Sequence, residues 1–62
     1  MDVEIVNHGS LYGFRPVSQA ARDWIAENVS DDAQWFGGAL MVEHRYASDL
    51  AEGMAGDGLE LG

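Results

Sequence analysis

The chain has no cysteine in its 62 residues. That absence constrains the fold more than any other feature. No disulfide and no thiolate metal site can staple the chain, so the fold rests on packed side chains alone. A chain of this length buries only about 60% of the surface its unfolded form exposes. Its core supplies on the order of 3–5 kcal/mol. Apolar residues make up 47% of the sequence, and two Trp, two Tyr and two Phe are available to fill an interior. Disordered acidic chains lack such residues. One folded domain over residues 1–62 is expected.

The first elements are legible as a hairpin. Asp2-Val3-Glu4-Ile5 alternates acidic and apolar residues, the period of a half-buried strand. Asn7-His8-Gly9-Ser10 reads as a turn, and Leu11 to Arg15 as the returning strand, with Tyr12 and Phe14 on one face. Pro16 ends it, having no N–H to give the ladder. Ser18 is placed to cap a helix from Gln19 to about Asn28, with Ala21, Trp24 and Ile25 inward and Gln19, Asp23 and Glu27 outward. Gly37-Gly38 reads as a turn after Trp35-Phe36, and Ala39 to Glu43 as a third strand with Leu40 and Val42 inward. A second helix is predicted from Arg45 or Tyr46 to about Ala55. Ala47, Leu50, Ala51 and Met54 form its inner stripe, and Asp49 and Glu52 lie outward. Gly53 weakens that helix by about 1 kcal/mol relative to Ala. Gly56-Asp57-Gly58 stops it, and Leu59-Glu60-Leu61 alternates again as a short last strand.

The expected fold class is therefore α+β. It is a two-layer sandwich in the order β-β-α-β-α-β, with a small, mainly antiparallel sheet and both helices on one face.

Charge is the strongest departure from ordinary composition. Eleven carboxylates face three arginines and no lysine, for a net charge of −8. Such a balance argues against nucleic acid as a direct partner, since phosphates require a basic surface. A merely soluble surface normally intersperses both signs. An acid-adapted proteome is one reading of the excess; a surface built to meet a basic partner is the other. Position favours the second. Asp23 and Glu27 stand four apart on the first helix, about 6 Å along its axis, and Asp31 and Asp32 follow its C-terminal end, where carboxylates oppose the helix dipole. Asp49 and Glu52 add a pair on the second helix. DNA presents a phosphate about every 3.4 Å along each strand. Rows of carboxylates on a rigid scaffold imitate part of that array.

Catalytic patterns are absent. His8 and His44 have no second ligand at metal spacing, so no metal and no cofactor is expected. Asp31-Asp32 and Glu43-His44 are adjacent pairs of the kind chance produces in so acidic a chain, and a fold of this size rarely encloses a catalytic pocket. No nucleophile elbow, P-loop or dinucleotide fingerprint occurs. The protein is expected not to be an enzyme. Asn28-Val29-Ser30 matches a glycosylation sequon, but the acidic Met1-Asp2-Val3-Glu4 is unlike a secretory leader, and no membrane-spanning stretch is visible. A cytoplasmic location is expected. Trp35 and Phe36 admit two readings: both cover the open end of the core, or one is exposed beside Asp31 and Asp32 as an interface anchor.

Residues Asn7 to Ser10 and Arg15 to Val17, then Asp32-Ala33-Gln34-Trp35-Phe36-Gly37-Gly38-Ala39-Leu40 and Val42 to Tyr46, resemble a family of small phage and prophage proteins. Size and acidity also resemble the anti-CRISPR proteins, including those acting on the type I-C system of Pseudomonas. The resemblance implies a phage-encoded inhibitor at work in the bacterial host cytoplasm. It would bind the RNA-guided Cascade complex and keep target DNA from docking, competing for the basic residues that hold nucleic acid backbone. The surface that would do so is Asp23, Glu27, Asp31 and Asp32, with Asp49 and Glu52 beside it. A monomer or weak dimer is expected. The alternative is a small phage accessory or structural protein acting by homo-oligomerisation through a sheet edge or through Trp35-Phe36.

Overall fold

In the computed structural model, which describes residues 1–62, the chain runs β1 (Val3–Asn7), β2 (Leu11–Pro16), α1 (Gln19–Asn28), β3 (Trp35–Phe36), β4 (Ala39–Glu43) and α2 (His44–Gly56). The strands form one antiparallel sheet in the order β1-β2-β4-β3. This is the α+β class that the sequence predicts.

The element order differs from the expectation in two places. Trp35–Phe36 is itself a strand, and the predicted final strand is reduced to one parallel bridge between Val3 and Leu61. The cause of the first lies in Gly37 and Gly38, whose φ angles of 57° and 79° are both positive. A two-residue turn with that pair of signs matches the twist of an antiparallel hairpin. It folds Phe36 back opposite Ala39 and Trp35 opposite Leu40, so the residues before the turn become a strand. The C-terminal residues instead lie along the outer edge of β1. Asp2 N–H donates to Glu60 O at 2.8 Å, Ile5 N–H to Gly62 O at 2.8 Å and Gly62 N–H to Val3 O at 2.9 Å. An edge that would otherwise present unpaired backbone groups is thereby occupied.

A side-chain cap opens α1, and a backbone cap closes α2. The Ser18 hydroxyl accepts from Ala21 N–H at 3.1 Å, satisfying one of the free amides at the start of α1. At the end of α2, Gly58 N–H donates to Ala55 O and Leu59 N–H to Met54 O, each at 3.0 Å. With Gly58 at φ 94°, this is a Schellman cap, which needs a residue free to take the left-handed conformation. Leu59 then packs against the core that Met54 enters.

Strand register explains why one core suffices. Ile5 stands opposite Phe14, Phe14 opposite Leu40 and Tyr12 opposite Val42, so these residues share one face of the sheet. On it, α1 lays Ala21 and Ile25 and α2 lays Ala47 and Met54, forming with Val3, Phe14 and Leu40 a single buried cluster. Both helices therefore cover the same face. Trp24 is half-buried against the cluster, as its place on the inner side of α1 predicts.

Candidate protein-binding surface

The strand β3 is too short to close its end of the sheet. It covers only Ala39 and Leu40 of β4, and Met41 N–H then donates to Gln34 O at 2.9 Å as the chain turns back toward α1. Val42 and Glu43 have no strand on that side. An open cleft of ≈ 1260 Å³ results, bounded by His8 and Leu11 at the β1–β2 turn, the last turn of α1, the 30–36 segment, β4 and the first half of α2. Its apolar wall includes Trp24, Val29, Trp35, Leu40, Tyr46 and Leu50, and its carboxylates are Asp32, Glu43 and Asp49.

All six carboxylates singled out in the sequence are exposed. Asp32 and Asp49 come together on the cleft, although they belong to different segments; Asp23, Glu27, Asp31 and Glu52 do not line it. Asp23 accepts from Gln19 Nε2 at 2.9 Å across one turn of α1. Ser30 donates its hydroxyl to the Asp32 carboxylate, which holds that side chain in the turn. Glu43, weighed in the sequence only as half of an acid–base pair with His44, and Tyr46 are also part of the site. Glu43 reads as a strand terminus and Tyr46 as a helix start, and only the stunted β3 makes both into cleft residues.

Trp35 and Phe36 do not cover the open end of the core. They are 49% and 73% exposed, and Tyr46 is 53% exposed. Pairing with Leu40 directs Trp35 to the helix-bearing face, while Phe36, opposite Ala39, belongs to the other. With only two residues in β3, neither face there is roofed. Trp35 also forms part of a smaller hollow on its far side, lined by Arg15 and Arg22. Two of the three arginines thus line this hollow and not the acidic cleft.

The charge is little compensated. Glu4 pairs with Arg15 at 2.7 Å, Glu43 with Arg45 at 3.7 Å and Glu60 with the N-terminal ammonium at 3.3 Å. The other eight of the eleven carboxylates, including all six named above, have no cation within 4 Å. Asp2 is held below the ordinary carboxylate range, first by the Ser18 hydroxyl and then by the backbone N–H of Glu60. It serves the termini rather than the cleft.

The two histidines sit on opposite faces of β2. His44 stacks on Tyr12 with ring centroids 4.5 Å apart, whereas the His8 ring lies over Gly13. No group of three or more His, Asp or Glu side chains converges as a metal site would require. None of the hydrogen bonds joins the cleft's titratable side chains to one another. No helix is long and apolar enough to cross a membrane.

No family model, curated protein or solved structure matches the chain.

Proposed function

We propose that the protein acts without catalysis, by presenting its acidic helical face to a basic, nucleic-acid-binding protein complex and denying that complex its nucleic acid. In the form the phage resemblance implies, the complex is Cascade and the protein is an anti-CRISPR inhibitor that blocks target DNA. The observation that carries this reading is the uncompensated charge. Asp23, Glu27, Asp31, Asp32, Asp49 and Glu52 are exposed, and none has a cation within 4 Å. Carboxylates placed so repel one another and destabilise a small fold. A basic partner relieves that repulsion and would associate fast, with an affinity that falls as salt rises.

The test is inhibition of target-DNA binding by a purified type I-C Cascade complex at low and high salt, with a variant reversing charge at Asp23, Glu27, Asp31 and Asp32. Inhibition at low salt that the reversal abolishes supports the reading. Full inhibition by the reversed, folded protein rules out mimicry. Exposed Trp35 and Phe36 favour a second reading, the phage accessory protein that self-associates through them. Light scattering decides that one: it requires an oligomer insensitive to salt, and a monomer at low micromolar concentration removes it.

A further inference from the structure

We infer that the cleft beside β4 is an anchoring site for a cationic, amphipathic segment of the partner protein: an apolar side chain seated between Trp35, Tyr46 and Leu50, with arginine or lysine beside it on Asp32, Glu43 and Asp49. This rests on reading the protein as a binder of a basic protein surface, and it adds what holds the partner once charge has attracted it.

Size and chemistry select the occupant. The cleft's ≈ 1260 Å³ exceeds the roughly 300–1,000 Å³ of sites that enclose small molecules. It is open to solvent and bounded by five separate segments, which suits a length of chain better than a compact ligand. A carboxylate row alone attracts any cation and fixes no register. Aromatic residues flanked by such a row do both, because the ring gives a desolvated seat and its face also attracts cations. Arg45 already shows that contact within the chain, its guanidinium lying 5.1 Å from the Tyr46 ring centroid. The rim's sign excludes an acidic segment. Arg45, the nearest arginine, is paired at 3.7 Å with Glu43, and Arg15 and Arg22 line a separate hollow.

The full-length, isotope-labelled chain would be titrated with a short leucine–arginine peptide and, separately, a leucine–glutamate peptide, following amide and indole resonances. Saturable binding of the first alone is expected, with shifts gathered at Trp35, Phe36, Tyr46 and Asp49. Trp35→Ser with Tyr46→Ser, both about half exposed and so compatible with the fold, should weaken it by about tenfold. Glu60→Gln, exposed beside the N-terminus and outside both the cleft and the acidic face, should change it less than about twofold. Binding whose shifts follow Asp23 and Glu27 and ignores the cleft variant overturns the cleft assignment and leaves the acidic-face reading intact. Equal binding of the glutamate peptide overturns the charge selection. Absence of binding, or shifts that depend on the protein's own concentration, also overturns the assignment, while the Cascade assay reports on the broader reading independently.

Discussion

The indole N–H of Trp24 donates to Asp57 Oδ2 at 2.7 Å, joining the middle of α1 to the residue that ends α2. Trp has a single polar hydrogen, so this bond satisfies it completely and lets the rest of the ring pack. The ring lies beside Gly53, one turn earlier on α2, and also forms part of the cleft wall. The bond therefore holds one side of the cleft as well as the two helices. Asp57→Ala is expected to lower unfolding free energy by about 1–2 kcal/mol. Trp24→Phe should remove the same bond, so urea unfolding of the two single variants and the double should give a coupling close to either loss.

Gly53 offers the opposite kind of change. A methyl group there would stand 3.5 Å from Trp24 Cζ2 and 3.7 Å from Cη2, ordinary contact distances. Gly53→Ala removes backbone freedom from the unfolded chain and forces nothing in the folded one. It should stabilise the protein by about 0.5–1 kcal/mol. For a domain this small that is a rise in Tm of about 3–8 °C, read by circular dichroism.

Gly37 and Gly38 are the reverse case, because their positive φ angles are a requirement. Alanine at either position should cost about 1–2 kcal/mol. The hairpin amides of Phe36 and Met41, the latter donating to Gln34 O, should lose protection from hydrogen exchange before those of β1 and β2 do. A variant that kept that protection would mean that the turn does not depend on this conformation.

These residues also mark where sequence reading succeeds and stops. Gln19–Asn28 was legible to the residue because Ser18, the inward stripe and the outward polar row all point to one helix. The first hairpin was legible from its alternation. For Trp35-Phe36, periodicity could not help, since two residues have no period. The signal was the glycine pair, which specifies a turn type and through it a strand. For the last strand the alternation of Leu59-Glu60-Leu61 says more than the pairing does: the segment lies along β1, but only Leu61 forms a bridge, with Val3. For the site, sequence indicated which carboxylates are exposed and not which converge. Asp32 and Asp49 meet on one cleft because β3 ends early, a tertiary consequence written in neither residue's neighbourhood.

Asp2 gives the fold a pH dependence that can be isolated. Its carboxylate accepts from Glu60 N–H at 2.8 Å and is held by the Ser18 hydroxyl, while its own carbonyl accepts from Val17 N–H at 2.7 Å. It thus clasps the N-terminus, the start of α1 and the C-terminal residues. Its pKa in the folded protein is lowered. The stability it contributes is thus fully present above the unfolded value of about 3.9 and is lost as pH falls through the folded value. Asp2→Asn should remove that component. The difference in stability between wild type and variant should then be constant from neutral pH down to about pH 5 and shrink below about pH 4. A difference that held constant through the acid range would show that the clasp does not titrate.

Asp31 and Asp32 separate stability from binding. Both follow the C-terminal end of α1, where negative charge meets the negative pole of the helix. Neither has a cation within 4 Å, but Asp32 accepts from the Ser30 hydroxyl and Asp31 has no such hydrogen bond. Neutralising Asp31 should therefore stabilise the fold by a few tenths of a kcal/mol. Neutralising Asp32 should gain less, because the turn also loses an acceptor that holds it. Sodium chloride should raise Tm in the wild type, by screening carboxylates that repel one another, and should do so less in Asp31→Asn. If the acidity exists for a basic partner, the same variants must bind that partner more weakly even as they fold more stably. Charge kept only for solubility would give no such opposition: the neutralised proteins would gain stability and bind as before. Thermal melts at low and high salt, set beside inhibition of target-DNA binding by the same variants, measure the two quantities whose signs must differ.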